Sequence, residues 1–298
     1  MKKGPITGTF IDQISYDLPS LNFSREQWSK EFDYMKAFGI DTLVFIRGGM
    51  GDKTIFPSKT IGSSYCPDIA RICLEEAEKR DMKVYMGLYM SDLEWGHGDW
   101  KTELKINKPF IDELYERYKS FKSFVGFYFP HETPVNEGNI TKIFSGLSTM
   151  CKEKDDSKKI LISPFFKSEI FKEKYAISPE ENYEIWDEIF EKAGHIDHCA
   201  FQDGTAPFYL MDDYYMGVKK LCDKYNIDHW VNTETFSRGP GAQFLSVIDF
   251  YELQRKLEHH KAYADKIITF EFSHFLSPQS INLAAHNLHK LYNNEYLK

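Results

Sequence analysis

Short apolar runs rich in β-branched and aromatic residues recur along this chain. Each is followed by a loop rich in Gly, Pro, Ser or Asp and then by a stretch with helical periodicity. Eight runs are present: Gly8-Thr9-Phe10-Ile11, Thr42 to Ile46, Val84 to Tyr89, Phe124 to Phe129, Ile160 to Ser163, Ile196 to Phe201, His229 to Thr233 and Ile267 to Phe272. Strand-then-helix alternation predicts parallel pairing with helices covering the sheet. The helical stretches carry their own punctuation. Ser24-Arg25-Glu26-Gln27 reads as a capping box leading into Trp28 to Phe38, and Gly39 stands where a C-cap belongs. Pro67-Asp68 to Arg80, Lys108-Pro109 to Phe121, Pro179-Glu180 to Ala193, Asp212 to Tyr225 and Phe244 to Ala264 read as further helices. Eight βα units with no linker between them predict an α/β protein, one closed (β/α)8 TIM barrel over residues 1–298. An open doubly wound sheet is the alternative, but its first unit would lack a G-x-G-x-x-G turn.

Composition narrows the function. Forty-five acidic against 37 basic side chains give a net charge of −8, and Lys/Arg blocks stop at pairs, which argues against a nucleic-acid partner. The five cysteines, Cys66, Cys73, Cys151, Cys199 and Cys222, form no C-x-x-C pair and read as reduced structural thiols. No window approaches the roughly 20 consecutive apolar residues of a bilayer span, so no membrane is expected. Met1-Lys2-Lys3 is not followed by the apolar core of a signal peptide. The expectation is a cytoplasmic protein, or a secreted one if a cleaved leader precedes this sequence.

In such a barrel the chemistry sits just after each strand, at its C-terminal end. Those positions hold Asp12 and Gln13, Arg47, Asp92, His131 and Glu132, Ser163 and Pro164, Gln202 and Asp203, Asn232 and Glu234, and Glu271 and His274. Glu132 and Glu234 each end an otherwise apolar run, on strands four and seven, across the barrel mouth from one another. Glycoside cleavage needs two carboxyl groups flanking the scissile bond. Aromatic surroundings would raise the Glu132 pKa, as suits a general acid, while Asn232 and Arg47 would keep Glu234 ionised. Asp203 precedes a glycine and reads equally as a turn former, and Asp12 with Arg47 equally as an ion pair. Trp95 and Trp100, in a polar glycine-containing loop, suggest platforms for the flat faces of a sugar, or else a lid folded on the rim. The loops Gly204 to Tyr215 and Phe236 to Phe244 would supply further walls, with Arg238 and Gln243 in reach. His259, His260, His286 and His289 fall on helical stretches and are assigned to solvated faces.

These residues resemble a large clan of retaining glycosidases, in which the acid/base glutamate ends strand four and the nucleophilic glutamate ends strand seven. The matched positions are Glu132 and Glu234. The segments Gly8 to Ile11, Phe38 to Leu43, Val84 to Leu88, Gly126 to Glu132, Ser163 to Phe166 and Gln202 to Gly204 are similar to an uncharacterised bacterial family, catalogued as a domain of unknown function and described from fold as glycoside hydrolases. The resemblance covers nearly the whole chain. It implies a retaining hydrolase of oligosaccharides or polysaccharides, with Glu132 as acid/base and Glu234 as nucleophile and no cofactor or metal; the strand-end and loop positions add Asp12, Arg47, Trp95, Trp100, Tyr128, His131, Gln202, Asp203, Asn232, Glu271 and His274 as candidate substrate contacts. One departure is plain. The clan has Asn before the acid/base glutamate, donating to the sugar 2-hydroxyl, and here His131 stands in that place.

Two rival readings remain open from the sequence. His131, Glu132, Asp203, Glu234, Glu271 and His274 could instead form a divalent-metal cluster of a barrel isomerase or hydrolase. Alternatively the barrel binds glycan without cleaving it. Helical faces rich in Phe and Tyr, such as Phe110 to Phe121, would pack on the barrel or on a second subunit.

Overall fold

In the computed structural model, residues 4–15, 18–62, 67–91, 96–168, 176–238 and 245–298 are described. Their centre is a closed ring of eight parallel strands: β1 (Ile6–Ile11), β2 (Thr42–Phe45), β3 (Lys83–Gly87), β4 (Phe124–Phe129), β5 (Lys159–Ile162), β6 (His198–Gln202), β7 (Asp228–Glu234) and β8 (Lys266–Phe270). Each pairs with its neighbours in chain order, and β8 closes on β1 through Ile6, Gly8 and Thr9. The expected closed (β/α)8 barrel is therefore present. All eight apolar runs are strands, because a strand buried on both faces must be apolar throughout rather than alternating.

Around the ring lie α1 (Arg25–Phe38), α2 (Ile69–Lys79), α3 (Trp100–Tyr118), α4 (Ile140–Lys154), α5 (Pro179–Lys192), α6 (Met211–Tyr225), α7 (Phe250–His260) and α8 (Leu283–Tyr296). The capping box of α1 forms as the sequence predicts: Ser24 accepts from the Gln27 N–H and Gln27 returns the bond, while Gly39 closes the helix in the left-handed region at φ 105°. Pro109, read as a first-turn proline, lies inside α3, so that helix begins at Trp100 rather than Lys108. No helix is predicted from the sequence between strands four and five, where α4 lies. Its N-cap position, Asn139, makes no side-chain cap hydrogen bond, so α4 lacks the usual starting signal.

Two apolar layers result. Inside the ring, Phe10, Val44, Tyr85, Tyr128, Leu161, Ala200, Trp230 and Ile268 fill the barrel. Between ring and helices runs the larger core, which includes Trp28, Phe32 and Phe38 of α1, Phe110, Leu114 and Tyr118 of α3, and Trp186 of α5. The aromatic face of α3 is thus buried on the barrel and not left for a second subunit. Cys73, Cys151, Cys199 and Cys222 are buried free thiols, and Cys66 lies outside the described residues. Among the described residues no helix is long and apolar enough to cross a membrane.

Candidate active site

At the C-terminal ends of the strands the barrel opens into a cleft of about 390 Å³, a volume typical of small-ligand sites. Its charged and polar lining is Asp12, Arg47, Glu132, Gln202, Asn232 and Glu234; its apolar walls are Phe10, Ile46, Phe236, Leu245 and Phe270. Apart from Leu245, which comes from the longer loop after β7, these side chains come from β1, β2, β4, β6, β7 and β8 or the residues just after them. Parallel strands of one closed ring deliver their ends to one place, so positions far apart in sequence converge.

Glu132 stands three residues past the end of β4. The Tyr128 hydroxyl, from within the strand and fully buried, donates to Glu132 Oε1 at 2.8 Å. Burial pushes the Glu132 carboxyl above its usual range. The Arg47 guanidinium, the Tyr128 hydroxyl and the Gln202 amide pull it back without cancelling the rise, and the Asp12 charge adds to it. Gln202 is itself held by donating Nε2 to the Ser163 carbonyl at 2.8 Å. Asp12 is fixed by the Ile14 and Ser15 backbone N–H groups, each at 3.0 Å, and by the Ser15 hydroxyl. Arg47 donates to that same hydroxyl at 2.8 Å, so Ser15 links Asp12 with Arg47.

Glu234 is the last residue of β7 and is buried at the cleft floor. Its carboxylate lies over Gly204: a Cβ at that position would fall 1.6 Å from Glu234 Oε2. Beneath it sits a buried ionic group. Asp203 Oδ1 accepts the Glu234 backbone N–H at 2.9 Å and the Lys256 ammonium at 3.0 Å, and Lys256 also approaches the Glu234 carbonyl at 3.4 Å. Burial raises the Asp203 pKa even against Lys256. His260 Nε2 is 3.4 Å from Asp203 Oδ2, and its Nδ1 lies 2.7 Å from the Thr233 hydroxyl. Beside Glu234, Asn232 donates Nδ2 to the Ser163 hydroxyl at 3.3 Å, while its Oδ1 is buried without a partner among the described residues. That oxygen is placed to accept from a hydroxyl entering the cleft.

Several expected contacts are placed elsewhere. The His131 ring turns away from the cleft and lies 2.7 Å from Glu103 Oε1 of α3, with both side chains wholly buried. Burial pushes Glu103 up, but the hydrogen bond and charge of His131 and the Ser91 donors hold its carboxyl below the usual range. His131 therefore anchors the end of β4 to α3 and is not among the residues lining the cleft. Asp203 opens a turn, its carbonyl accepting the Ala206 N–H at 3.0 Å, while its carboxylate lies behind Glu234 as a backbone partner and does not line the cleft. Glu271 accepts the Asp12 backbone N–H at 2.8 Å and is a support for that loop. His274 stacks on Phe275 at 4.1 Å between centroids, behind the Phe236 wall. Trp100 opens α3 and packs on the core rather than forming a platform. Trp95, Asp92 and Gln243 lie outside the described residues. His260, assigned to a solvated face, is fully buried, because α7 turns it onto Asp203 and Thr233. The residues missed by sequence reasoning are Lys256, Glu103 and Gly204. Only the last carried a visible signal, the Asp-Gly pair after β6. Among the described residues, no three His, Cys, Asp or Glu side chains gather as a metal-holding group.

The fold and the cleft define a (β/α)8 barrel protein with two glutamates, from the ends of β4 and β7, in one pocket at the strand C-termini. Residues 6–282 match the model of the family described as "Domain of unknown function (DUF4434)", and the chain belongs to that family. It is similar to a protein from Bacteroides thetaiotaomicron whose crystal structure is titled that of "a putative alpha-L-fucosidase", with 36% identity, a TM-score of 0.93, and coverage of 99% of this chain and 94% of that one. More distant likenesses show the barrel fold. One is an intracellular xylanase from Thermoanaerobacterium saccharolyticum, at 12% identity and a TM-score of 0.54 over 90% of this chain and 86% of that one. Another is a GH18 chitinase from Pseudoalteromonas aurantia, at 11% identity and a TM-score of 0.60 over 96% and 98%. No curated protein matches.

Proposed function

We propose that the protein is a glycoside hydrolase that cleaves an oligosaccharide or polysaccharide with retention of configuration, using Glu132 as acid/base and Glu234 as nucleophile. The observation that carries this reading is that the two glutamates line one cleft in unlike environments. Burial raises the Glu132 pKa, the direction that suits a general acid. Glu234 is presented from a strand end that Asp203 and Lys256 hold in place. The activities named for the 36%-identical Bacteroides protein and for the distant xylanase and chitinase support a carbohydrate substrate.

In this reading the Glu234 carboxylate attacks the anomeric carbon as the bond to the leaving oxygen breaks, and Glu132 gives its proton to that oxygen. Glu132, now ionised, takes a proton from water; the water oxygen displaces Glu234 from the anomeric carbon and releases the sugar. Asn232 and Gln202 position ring hydroxyls, and the Arg47 and Asp12 pair sets the charge around Glu132.

The test is a panel of aryl glycosides that includes the α-L-fucoside, with proton NMR of the first sugar released. Turnover giving the retained anomer, lost in both Glu132→Gln and Glu234→Gln, supports the mechanism. Release of the inverted anomer would replace the nucleophile role by a general base. Glycan binding without turnover would leave a binding barrel.

A further inference from the structure

The opposite mouth of the barrel carries a second cavity, of about 490 Å³, at the N-terminal ends of the strands. The inner layer of Phe10, Val44, Tyr128, Leu161 and Ile268 fills the barrel between the two. In a chain of net charge −8, this cavity is lined by five lysines, Lys83, Lys122, Lys158, Lys159 and Lys266, against two aspartates, Asp41 and Asp228. The lysines reach it because β3, β5 and β8 each begin with one, and the loops before β4 and β5 supply the others.

Partners account for only some of this charge. Lys266 pairs with Asp41 at 2.6 Å and Lys159 with Asp197 at 2.8 Å. The side chains of Lys83 and Lys122 make no hydrogen bond or ion pair within the described residues. Lys158 donates to the Phe124 carbonyl at 2.6 Å, and Asp155 stands 3.9 Å from it. Burial lowers the Lys158 pKa against the opposing Asp155 charge.

The floor adds an independent observation. Tyr85 lines the cavity, is only 3% exposed, and gives its hydroxyl to no protein group within the described residues. Gly126 makes room for it, since a Cβ there would fall 2.6 Å from the Tyr85 ring. Next to it the His198 ring stacks on Trp230 at 4.4 Å, with His198 Nδ1 at 3.0 Å from Asp228 Oδ2. The Tyr85 hydroxyl is thus free to donate into the lysine-rimmed cavity, with the Asp197 and Asp228 charges also acting on it.

We propose that the N-terminal mouth of the barrel binds a small phosphate-type oxyanion, with Lys83, Lys122 and Lys158 at the rim and the Tyr85 hydroxyl at the floor. The cavity is concave and sized for a small molecule, which favours a free anion over an extended polymer. Each rim ammonium supplies charge-assisted donors, and the phenol reads the oxygen that enters deepest. The proposal is independent of the cleft at the other mouth.

Calorimetric titration with sodium pyrophosphate at about 0.1 M ionic strength tests it, with sodium chloride at matched strength as reference. One saturable site is expected. Its affinity should fall about tenfold or more in K83A/K122A, whose side chains are exposed and leave the core untouched, and several-fold in Tyr85→Phe, which keeps the ring. Thermal melts without ligand confirm that both variants fold. Repeating the titration with orthophosphate and a phosphate monoester assigns the source: tighter binding of the ester indicates a phosphorylated metabolite, tighter binding of the inorganic ion indicates free phosphate. Absence of saturable heat, equal heat from chloride, or unchanged affinity in K83A/K122A would overturn the proposal.

Discussion

Gly204 is the position where a single methyl group should silence the cleft while leaving the fold intact. In Gly204→Ala the new Cβ would stand 1.6 Å from Oε2, 2.1 Å from Cδ and 2.4 Å from Oε1 of Glu234. Ordinary contact between such atoms is about 3.5 Å, so the carboxylate must retreat by roughly 2 Å. The backbone at 204 is not in the left-handed region, so alanine carries no conformational penalty of its own there. The strain falls on Glu234, whose side chain is buried and can yield only by leaving its place. Overpacking of this kind costs about 1–3 kcal/mol of stability. Displacing a reacting group by about 1 Å can cost on the order of 100-fold in rate, so kcat/KM should fall by at least that factor, about 2.7 kcal/mol of transition-state stabilisation. The assay is kcat/KM on whichever aryl glycoside the wild type turns over, beside a thermal melt. A variant that melts within several degrees of wild type and keeps near-wild-type kcat/KM would refute the placement of Glu234 over Gly204 and its role as nucleophile.

Three further outcomes are expected. Glu132→Gln should lose activity by about 100- to 10,000-fold yet melt higher than wild type at neutral pH. The Glu132 pKa is raised on folding, so its contribution to stability is fully present below the unfolded carboxyl value and declines as pH rises through the folded one. The difference in melting temperature should therefore vanish below pH about 4, and a Gln variant less stable at neutral pH would contradict the raised pKa. Lys256→Met strands the buried Asp203 carboxylate and should cost about 3–5 kcal/mol in urea melts, a deficit that shrinks in mild acid as Asp203 takes a proton; a deficit independent of pH would speak against the pair. Gly217→Ala, on α6 with no atom nearer than 3.9 Å to the new Cβ, should stabilise by about 0.5–1 kcal/mol. A loss of stability there would show that α6 and α5 pack more tightly than described.

Much of the cleft was legible because barrel topology converts sequence position into location. Glu132, Glu234, Asp12, Arg47, Gln202 and Asn232 were all found by reading the residues that follow an apolar run, and all line one pocket. Their direction was not legible in the same way. His131 and Glu132 are adjacent, yet one turns into α3 and the other into the cleft, and nothing in the order of residues tells which does which.

What the amino-acid sequence determines by itself is the architecture and the two-glutamate pattern. Both are local or periodic: apolar runs bury as parallel strands, capping signals set helices, and a strand end in such a ring is a mouth position. The tertiary structure alone decides which groups support that pattern. Asp203 meets Lys256 from 53 residues away, and His131 meets Glu103 from 28. Each pairing depends on how α7 or α3 is rotated against the ring. That rotation is set by summed core packing over many residues, in which no single side chain announces its partner. The same holds for Tyr85 and the lysines at the far mouth, which are scattered in sequence and gathered only by closure of the barrel.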